Sequence, residues 1–433
     1  MAKIELLEQR LAQGAYNNTF QLLYGKNQKE NQRARYQAVL GGFRKTFPTT
    51  KDVELFSAPG RTELGGNHTD HQHGCVVAAS VDLDVVAAAG VNGEQVIRIL
   101  SEGYPMVQVS LDSLSIVEEE KNTTNALIRG VAAGMRERGY QVGGFDAYVT
   151  SNVLQGSGLS SSAAFEVMVG TLVSHLFNQG QIDPVAVAQV GQYAENVYFG
   201  KPCGLLDQMA CAVGGYVAID FYNPQKPVVE KIEFNFSKTG HTMCIVDAGG
   251  SHADLTDDYA AITREMKQVA ACFGKEVLRQ VPPAEFYTAL GSLRSKVEDR
   301  ALLRAIHFFE ENTRAQEMAH ALRQKDFEGF RRVSLASGRS SFMYLQNVFT
   351  CKSPTEQKVS LALAVADVLL QGRGCFRIQG GGFAGTIQAF VPNDMVAGFK
   401  EKMEAVTGKG TCHLLSIRPV GGIKVEEEAV WQN

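Results

Sequence analysis

The sequence predicts an α/β protein of the α+β kind, folded as two domains that pack tightly around a cleft. Three observations carry that prediction. Strand-like runs at 53–60, 76–91, 96–100 and 145–153 alternate with helical spacing at 125–137 and 184–199. A long helical tract then fills roughly 255–372, broken near Pro282-Pro283 and Ser353-Pro354, before strands return around residue 380. No repeat, low-complexity block or Gly/Ser-rich tether separates the halves, so they share a surface.

A chain of 433 residues can build two or three domains with proper cores. Hydrophobic residues at 45% and charged residues at 20% are the composition of a soluble globular protein. The net charge of -4 offers no surface for nucleic acid or membrane, so small molecules are the expected partners, bound by a monomer or weak dimer. The cysteines at 75, 203, 211, 244, 272, 351, 375 and 412 form no Cys-x-x-Cys pair and stand mostly among apolar or small neighbours. They read as reduced core thiols. The opening Met1-Ala2-Lys3-Ile4-Glu5 starts a charged amphipathic helix, not a signal peptide, and no apolar run is long enough for a membrane span. The expected location is the cytoplasm.

Taken in order, residues 1–50 are helical and polar, with short apolar stripes at Leu6, Leu7, Leu11 and 37–43, and form an N-terminal cover without chemistry of their own. A first domain is expected over 51–215 and a second over 216–433. Val53 to Gly60 is a strand that ends at the Pro59-Gly60 break. The polar stretch Arg61 to Gly74 that follows reads as a loop. It gathers an arginine, carboxylates, histidines and an asparagine, donors and acceptors suited to sugar hydroxyls. Zinc at His68, His71 and His73 is disfavoured because their spacing suits no helix face and no second histidine cluster stands nearby. His71 and His73 are expected to be solvated.

The strand at 145–153 runs into Gly156-Ser157-Gly158-Leu159-Ser160-Ser161-Ser162-Ala163-Ala164, followed by an apolar helix. A glycine-rich turn at a helix mouth presents backbone N–H groups and the positive end of the helix dipole, a setting for phosphate. The competing reading is a simple capping turn, which the same residue types favour. No Gly-Lys-Ser/Thr follows, so this is not a Walker P-loop. Asp207, among small and apolar neighbours, is either a base toward a hydroxyl or the N-cap of a helix beginning at Gln208. Glu195 is either a surface glutamate or a carboxylate turned toward the glycine loop, where it could hold Mg²⁺. Gly380-x-Gly382-x-x-Gly385 satisfies the dinucleotide fingerprint formally, but the next residues continue as a strand where that fold needs a helix. A glycine hairpin that brings backbone close to a ligand fits better.

Four motifs in order then resemble the signatures of the GHMP small-molecule kinases: Ala58-Pro59-Gly60-Arg61 with His68-Thr69-Asp70, the loop Gly156 to Ala164, Cys203-Gly204-Leu205-Leu206-Asp207-Gln208, and Gly380 to Gly385. The match runs from about residue 53 to the tail. Its Gly-x-x-His-Thr-Asp element resembles that of the members acting on galactose. The resemblance implies a cleft between an N-terminal ribosomal-S5-like domain and a C-terminal ferredoxin-like domain. The implied reaction is transfer of the γ-phosphoryl of ATP to the C1 hydroxyl of α-D-galactose, with magnesium; the alternatives are the same transfer to arabinose, an N-acetylhexosamine or a uronic acid, and a sugar and ATP sensor without turnover. On this resemblance Gly156, Ser157, Gly158, Leu159, Ser160, Ser161 and Ser162 cradle the triphosphate, and Ser101 contacts the nucleotide. Ser162 and Glu195 hold the metal. Asp207 accepts from or orients the hydroxyl, and Arg61 offsets charge and keeps Asp207 ionised. Asn67, His68, Thr69, Asp70, Gly204, Asp207 and Tyr259 contact the sugar. The chain departs from the family's pattern at Asn67, where glutamate is usual, with Glu63 expected to compensate, and also at Leu154 and Gln379.

Overall fold

A computed structural model describes residues 2–154, 158–201, 203–250 and 255–427. Two sheets organise them. The larger has nine strands, with Ala2–Lys3, Asp52–Gly65, Cys75–Val91, Phe145–Ser151, Val96–Ser101 and Val107–Ser110 neighbours in that order. Cys75–Val91 is long enough to serve two partners. Its residues 85–91 pair with Phe145–Ser151, and its residues 75–79 pair with Tyr216–Asp220.

The side chains of this strand explain the layers. Val85, Ala87 and Ala89 point into the main core beneath the helices Thr124–Glu137 and Ser161–Phe177, while Val86 and Ala88 point the other way. That period of two is what a strand covered on both faces requires. The second face is covered by the helices Ile4–Ala12, Asn17–Tyr24 and Lys29–Thr46, whose Leu7, Phe20, Tyr36, Leu40 and Phe43 are buried against Val53 and Leu55. Residues 2–50 are therefore one wall of the sheet's core. Beyond residue 215, Tyr216–Asp220 and Val228–Ile232 complete the first sheet, and Ile423–Lys424 returns to pair with Asp52–Gly65.

The smaller sheet is antiparallel, in the order Cys375–Ile378, Thr386–Pro392, His241–Asp247, Cys412–Leu415, with the helices Lys358–Leu370 and Val396–Thr407 sharing its core. No helix among the described residues is long and apolar enough to cross a membrane.

One strand runs further than the sequence suggested. Asp52–Gly65 does not stop at Pro59-Gly60, so Arg61, Thr62 and Glu63 lie on a strand and not in a loop. Register shifts on both sides of Arg61 absorb the proline's missing donor without ending the pairing with Cys75–Val91. At the first shift Gly60 meets the Leu159 carbonyl oxygen, which would stand 2.9 Å from any Cβ added there.

Asp84 locks the N-terminal wall to this sheet. Its fully buried carboxylate accepts from Arg35 Nη1 at 2.6 Å, Tyr24 Oη at 2.5 Å and Arg418 Nη1 at 3.2 Å. Burial alone would raise this carboxyl, but Arg35 and Arg418 hold it below the usual carboxylate range. Such a group stabilises the fold above the unfolded carboxyl's pKa of about 4, and that contribution is lost as pH falls through the lower folded value. We expect Arg35→Ala to lower the unfolding free energy by about 2 kcal/mol in urea titrations at neutral pH. The difference from the wild type should shrink below about pH 4.

Candidate active site

The strand that bends at Gly60 delivers Arg61 to the middle of the molecule. Arg61 Nε donates to Asp207 Oδ1 at 2.7 Å, Nη1 donates to the Gly158 carbonyl, and the backbone N–H donates to Leu159 O at 3.1 Å. One residue thus ties the sheet, the glycine loop and Asp207 together. The arginine side chain is 7% exposed and the Asp207 side chain 37%, so the pair has a dry side and an open side.

Asp207 lies in the first turn of the helix Leu206–Val213, but it does not cap that helix. Leu205 holds the cap position, and no side chain caps the end. The carboxylate instead faces Arg61, and its Oδ2 accepts from Ser160 Oγ at 2.5 Å. Burial would raise its pKa, yet the Arg61 charge and hydrogen bond, with Ser160, hold it below the ordinary aspartate value. It is an anion at neutral pH.

The helix Ser161–Phe177 begins right after this contact. Its first backbone bond runs from Ala164 N to Ser160 O, which leaves the N–H groups of Ser161, Ser162 and Ala163 ahead of the helical ladder. Gly158 at φ +69° and Ser160 at φ +56° turn the chain into the helix. Gly156 and Ser157, expected in the same cradle, lie outside the described residues. Ser162 Oγ stands 3.5 Å from Glu195 Oε1. Glu195 is not on the surface. The helix Pro184–Tyr193 continues as a π-helical turn, Ala194–Phe199, which rolls Glu195 inward to 3% exposure. Lys201 Nζ reaches Glu195 Oε1 at 3.2 Å and Gln208 Nε2 reaches Oε2 at 2.9 Å.

That amide also donates to Glu166 Oε2 at 3.0 Å, which brings a second buried carboxylate beside the site. Burial first, then the neighbouring Glu195, push the Glu166 carboxyl well above its ordinary value. Glu166, Gln208 and Lys201 were not singled out from the sequence. The available signal was a lone carboxylate inside the apolar run Ala163 to Val173.

Across the cleft, His68, at φ +58°, shares a hydrogen bond of 2.9 Å between Nε2 and Gly381 O, which makes Nε2 the donor. Burial, opposed by that bond, lowers its pKa to about 4, so the ring is neutral. Asp70 fills the space that a side chain at Gly204 would take, which is why that position carries none. Burial and then the Asp207 charge raise Asp70 to about 7. Tyr259 donates its hydroxyl to Gly382 O at 2.9 Å, and its ring packs edge-on against Phe383. A Cβ added at Gly380, where φ is +65°, would stand 3.6 Å from Gly158 O, so the Gly380–Gly385 hairpin lies close to the glycine loop. Ser101 ends its strand opposite Val149, on the flank of the chain leading into that loop.

Several expectations are corrected here. Asn67 is 0% exposed, and its amide is used up internally. Nδ2 donates to Glu63 Oε1 at 3.0 Å and Gly380 O at 2.8 Å, while Oδ1 accepts from Ser341 Oγ at 3.2 Å and Asn347 Nδ2 at 2.9 Å. It cannot also read a sugar hydroxyl. Glu63 does not compensate toward the sugar, because buried Arg377 Nη2 binds its Oε1 at 2.8 Å. Thr69 is equally buried, its hydroxyl aimed at Gly66 O and Cys75 O. His71 is no solvated loop residue. Its ring stacks edge-on with His68 at 5.6 Å and burial lowers its pKa. These residues position His68 and Asp70 instead of joining them.

Comparison with known proteins bears on this arrangement. The family model described as the GHMP kinases N terminal domain matches residues 126–215, which span the glycine loop, Glu195 and Asp207. Among solved structures, the chain is similar in fold to galactokinase of Lactococcus lactis complexed with galactose: 24% identity, TM-score 0.76, covering 90% of this chain and 100% of that one. It also resembles the mevalonate kinase of Methanococcus jannaschii at 14% identity and TM-score 0.61, covering 84% and 98% of the two chains. Phosphomevalonate kinase of Streptococcus pneumoniae follows at 11% identity and TM-score 0.57, covering 86% and 99%. The chain thus shares the fold of these small-molecule kinases, and its residues 126–215 carry a match to the GHMP kinases N terminal domain. Residues 42–91 also match the galactokinase galactose-binding signature, and this segment carries Arg61, His68 and Asp70.

Asn67 supplies a test of the corrected geometry. An aspartate there cannot donate to Glu63 or Gly380 and would place a second anion in the same buried space. We expect Asn67→Asp to cost about 3 kcal/mol of stability in denaturant titrations, where a mere sugar contact would leave the free protein's stability unchanged.

Proposed function

We propose that this chain transfers the γ-phosphoryl group of ATP to the C1 hydroxyl of α-D-galactose. The observation that carries the reading is the Arg61–Asp207 pair, an ionised carboxylate set between a helix-mouth phosphate cradle and the loop matched as a galactose-binding signature. Asp207 accepts a hydrogen bond from the attacking hydroxyl and orients it. Because Arg61 holds its pKa down, Asp207 is a weak base, which suits a reaction whose proton leaves late and whose catalysis rests on positioning and charge. The Arg61 guanidinium, fixed by Gly158 and Asp207, also faces the charge that builds on the transferred group. The open N–H groups of Ser161, Ser162 and Ala163 receive phosphate oxygens.

Ser162 and Glu195 offer a hydroxyl and a buried carboxylate within 3.5 Å of each other, an all-oxygen set that fits Mg²⁺ beside phosphate. Such an ion, when bound, neutralises charge on the phosphate oxygens. Lys201 holds the same Glu195 oxygen and would have to yield it. His68, Asp70, the Gly204 backbone and Tyr259 border the sugar, and Ser101 the nucleotide. Eight free cysteines suit a reducing cytoplasm, where ATP is at hand.

Purified protein should release ADP from ATP with galactose in a panel of sugars, and silence toward galactose with turnover of another sugar would overturn the substrate. Asp207→Asn should lower kcat by roughly 10²–10⁴-fold while galactose still binds by calorimetry. Asp70 gives a pH signature. If its carboxylate accepts from a sugar hydroxyl, KM for galactose falls as pH rises through about 7, and Asp70→Asn flattens that dependence.

A further inference from the structure

Both oxygens of Asp207 already accept a hydrogen bond before any sugar arrives. Oδ1 belongs to Arg61, whose side chain is buried and held by a second bond to Gly158. Oδ2 is held by Ser160 Oγ. Each carboxylate oxygen can accept two hydrogen bonds, so the incoming hydroxyl competes with these donors for the directions they hold. Arg61 is the fixed one, since breaking its bond would strand a charge in a dry site. Ser160 is the one that can leave, because a hydroxyl turns about a single bond at little cost. Its backbone lies at φ +56°, a conformation in which glycine is unstrained and serine is not. The position thus keeps a hydroxyl where backbone geometry favours none. One residue on, the open N–H groups of the helix Ser161–Phe177 mark where phosphate oxygens sit, so a released Ser160 hydroxyl has a new acceptor within a single turn.

We propose that Ser160 is a positioning residue that couples the two substrates: in the empty site its hydroxyl occupies the Asp207 oxygen meant for the sugar, and a bound triphosphate draws that hydroxyl away and frees the oxygen. This inference rests on the galactose assignment above. Its consequence is reciprocal binding energy. Galactose alone must compete with Ser160 for Asp207 Oδ2, whereas galactose arriving after nucleotide need not, so each ligand tightens the other.

The experiment is calorimetric titration of galactose into wild type, Ser160→Ala and Ser160→Gly, each with and without Mg²⁺ and a non-hydrolysable ATP analogue. Glycine takes the positive φ freely, so it reads the loss of the hydroxyl even if alanine misfolds. Without nucleotide, the variants should bind galactose about tenfold tighter than wild type. The tightening by the analogue, present in wild type, should vanish in both. Galactose affinity in Ser160→Gly equal to or weaker than wild type, or coupling that persists there, overturns the latch while leaving the galactose assignment standing. Wild type that binds no galactose overturns the assignment and the latch with it. A structural role for Ser160 would weaken all binding and could not produce tighter galactose.

Discussion

The ion pair between Arg61 and Asp207 is the contact on which the rest of the site depends. It joins residues 146 positions apart, on a strand of the large sheet and on the helix Leu206–Val213. A buried pair of this kind is weak as a source of stability, because desolvation offsets much of the attraction. Its value is electrostatic definition. It fixes the protonation state of the carboxylate, points one guanidinium edge at the glycine loop, and leaves only one Asp207 oxygen open to exchange. Phosphoryl transfer asks for placed charges more than for covalent partners, and this pair places two of them at once.

Around it the structure spends many buried polar groups on holding a single turn. Gly66 N donates to Glu311 Oε1 at 3.0 Å, His307 Nε2 donates to Asn67 O at 2.9 Å, and Arg377 pairs with Glu63. Glu311 is held near pKa 2 because Arg314 and its other partners outweigh its burial. Apart from Arg377 Nε and Asn347 Oδ1, the donors and acceptors here answer one another, which favours a single conformation for the buried network. The turn thereby presents His68 and Asp70 to the cleft with little freedom. It also shows why an amide at 67 suits this chain: Glu63 and Gly380 both need a donor there, and a carboxylate has none to give.

Much of this was legible in the chain itself. The strands at 76–91 and 145–153, the helix at 125–137 and the glycine-rich turn follow from periodicity and turn chemistry, which are local. The Pro59-Gly60 step misled because proline usually ends a strand. Here a register shift and a partner strand of 17 residues carry the pairing through, and only the partner reveals that. Residues 1–50 looked like a cover because their polarity is high. Their apolar stripes are short but face a sheet surface of Val53, Leu55, Val86 and Ala88 that no local window contains.

By itself the sequence determined the elements and the chemical types available: a helix mouth with open amides, an arginine, an aspartate, a histidine and a glycine hairpin, each recognisable because turn and helix-end chemistry is written within a few residues. The tertiary structure alone decided which of those side chains meet the cleft and which are consumed in holding it. Asn67 and Asp70 stand three positions apart in one polar stretch, yet the first is sealed behind Glu63, Ser341 and Asn347 and the second lines the site. Hydrogen-bond partners more than 250 residues away make that distinction, and no local pattern records them.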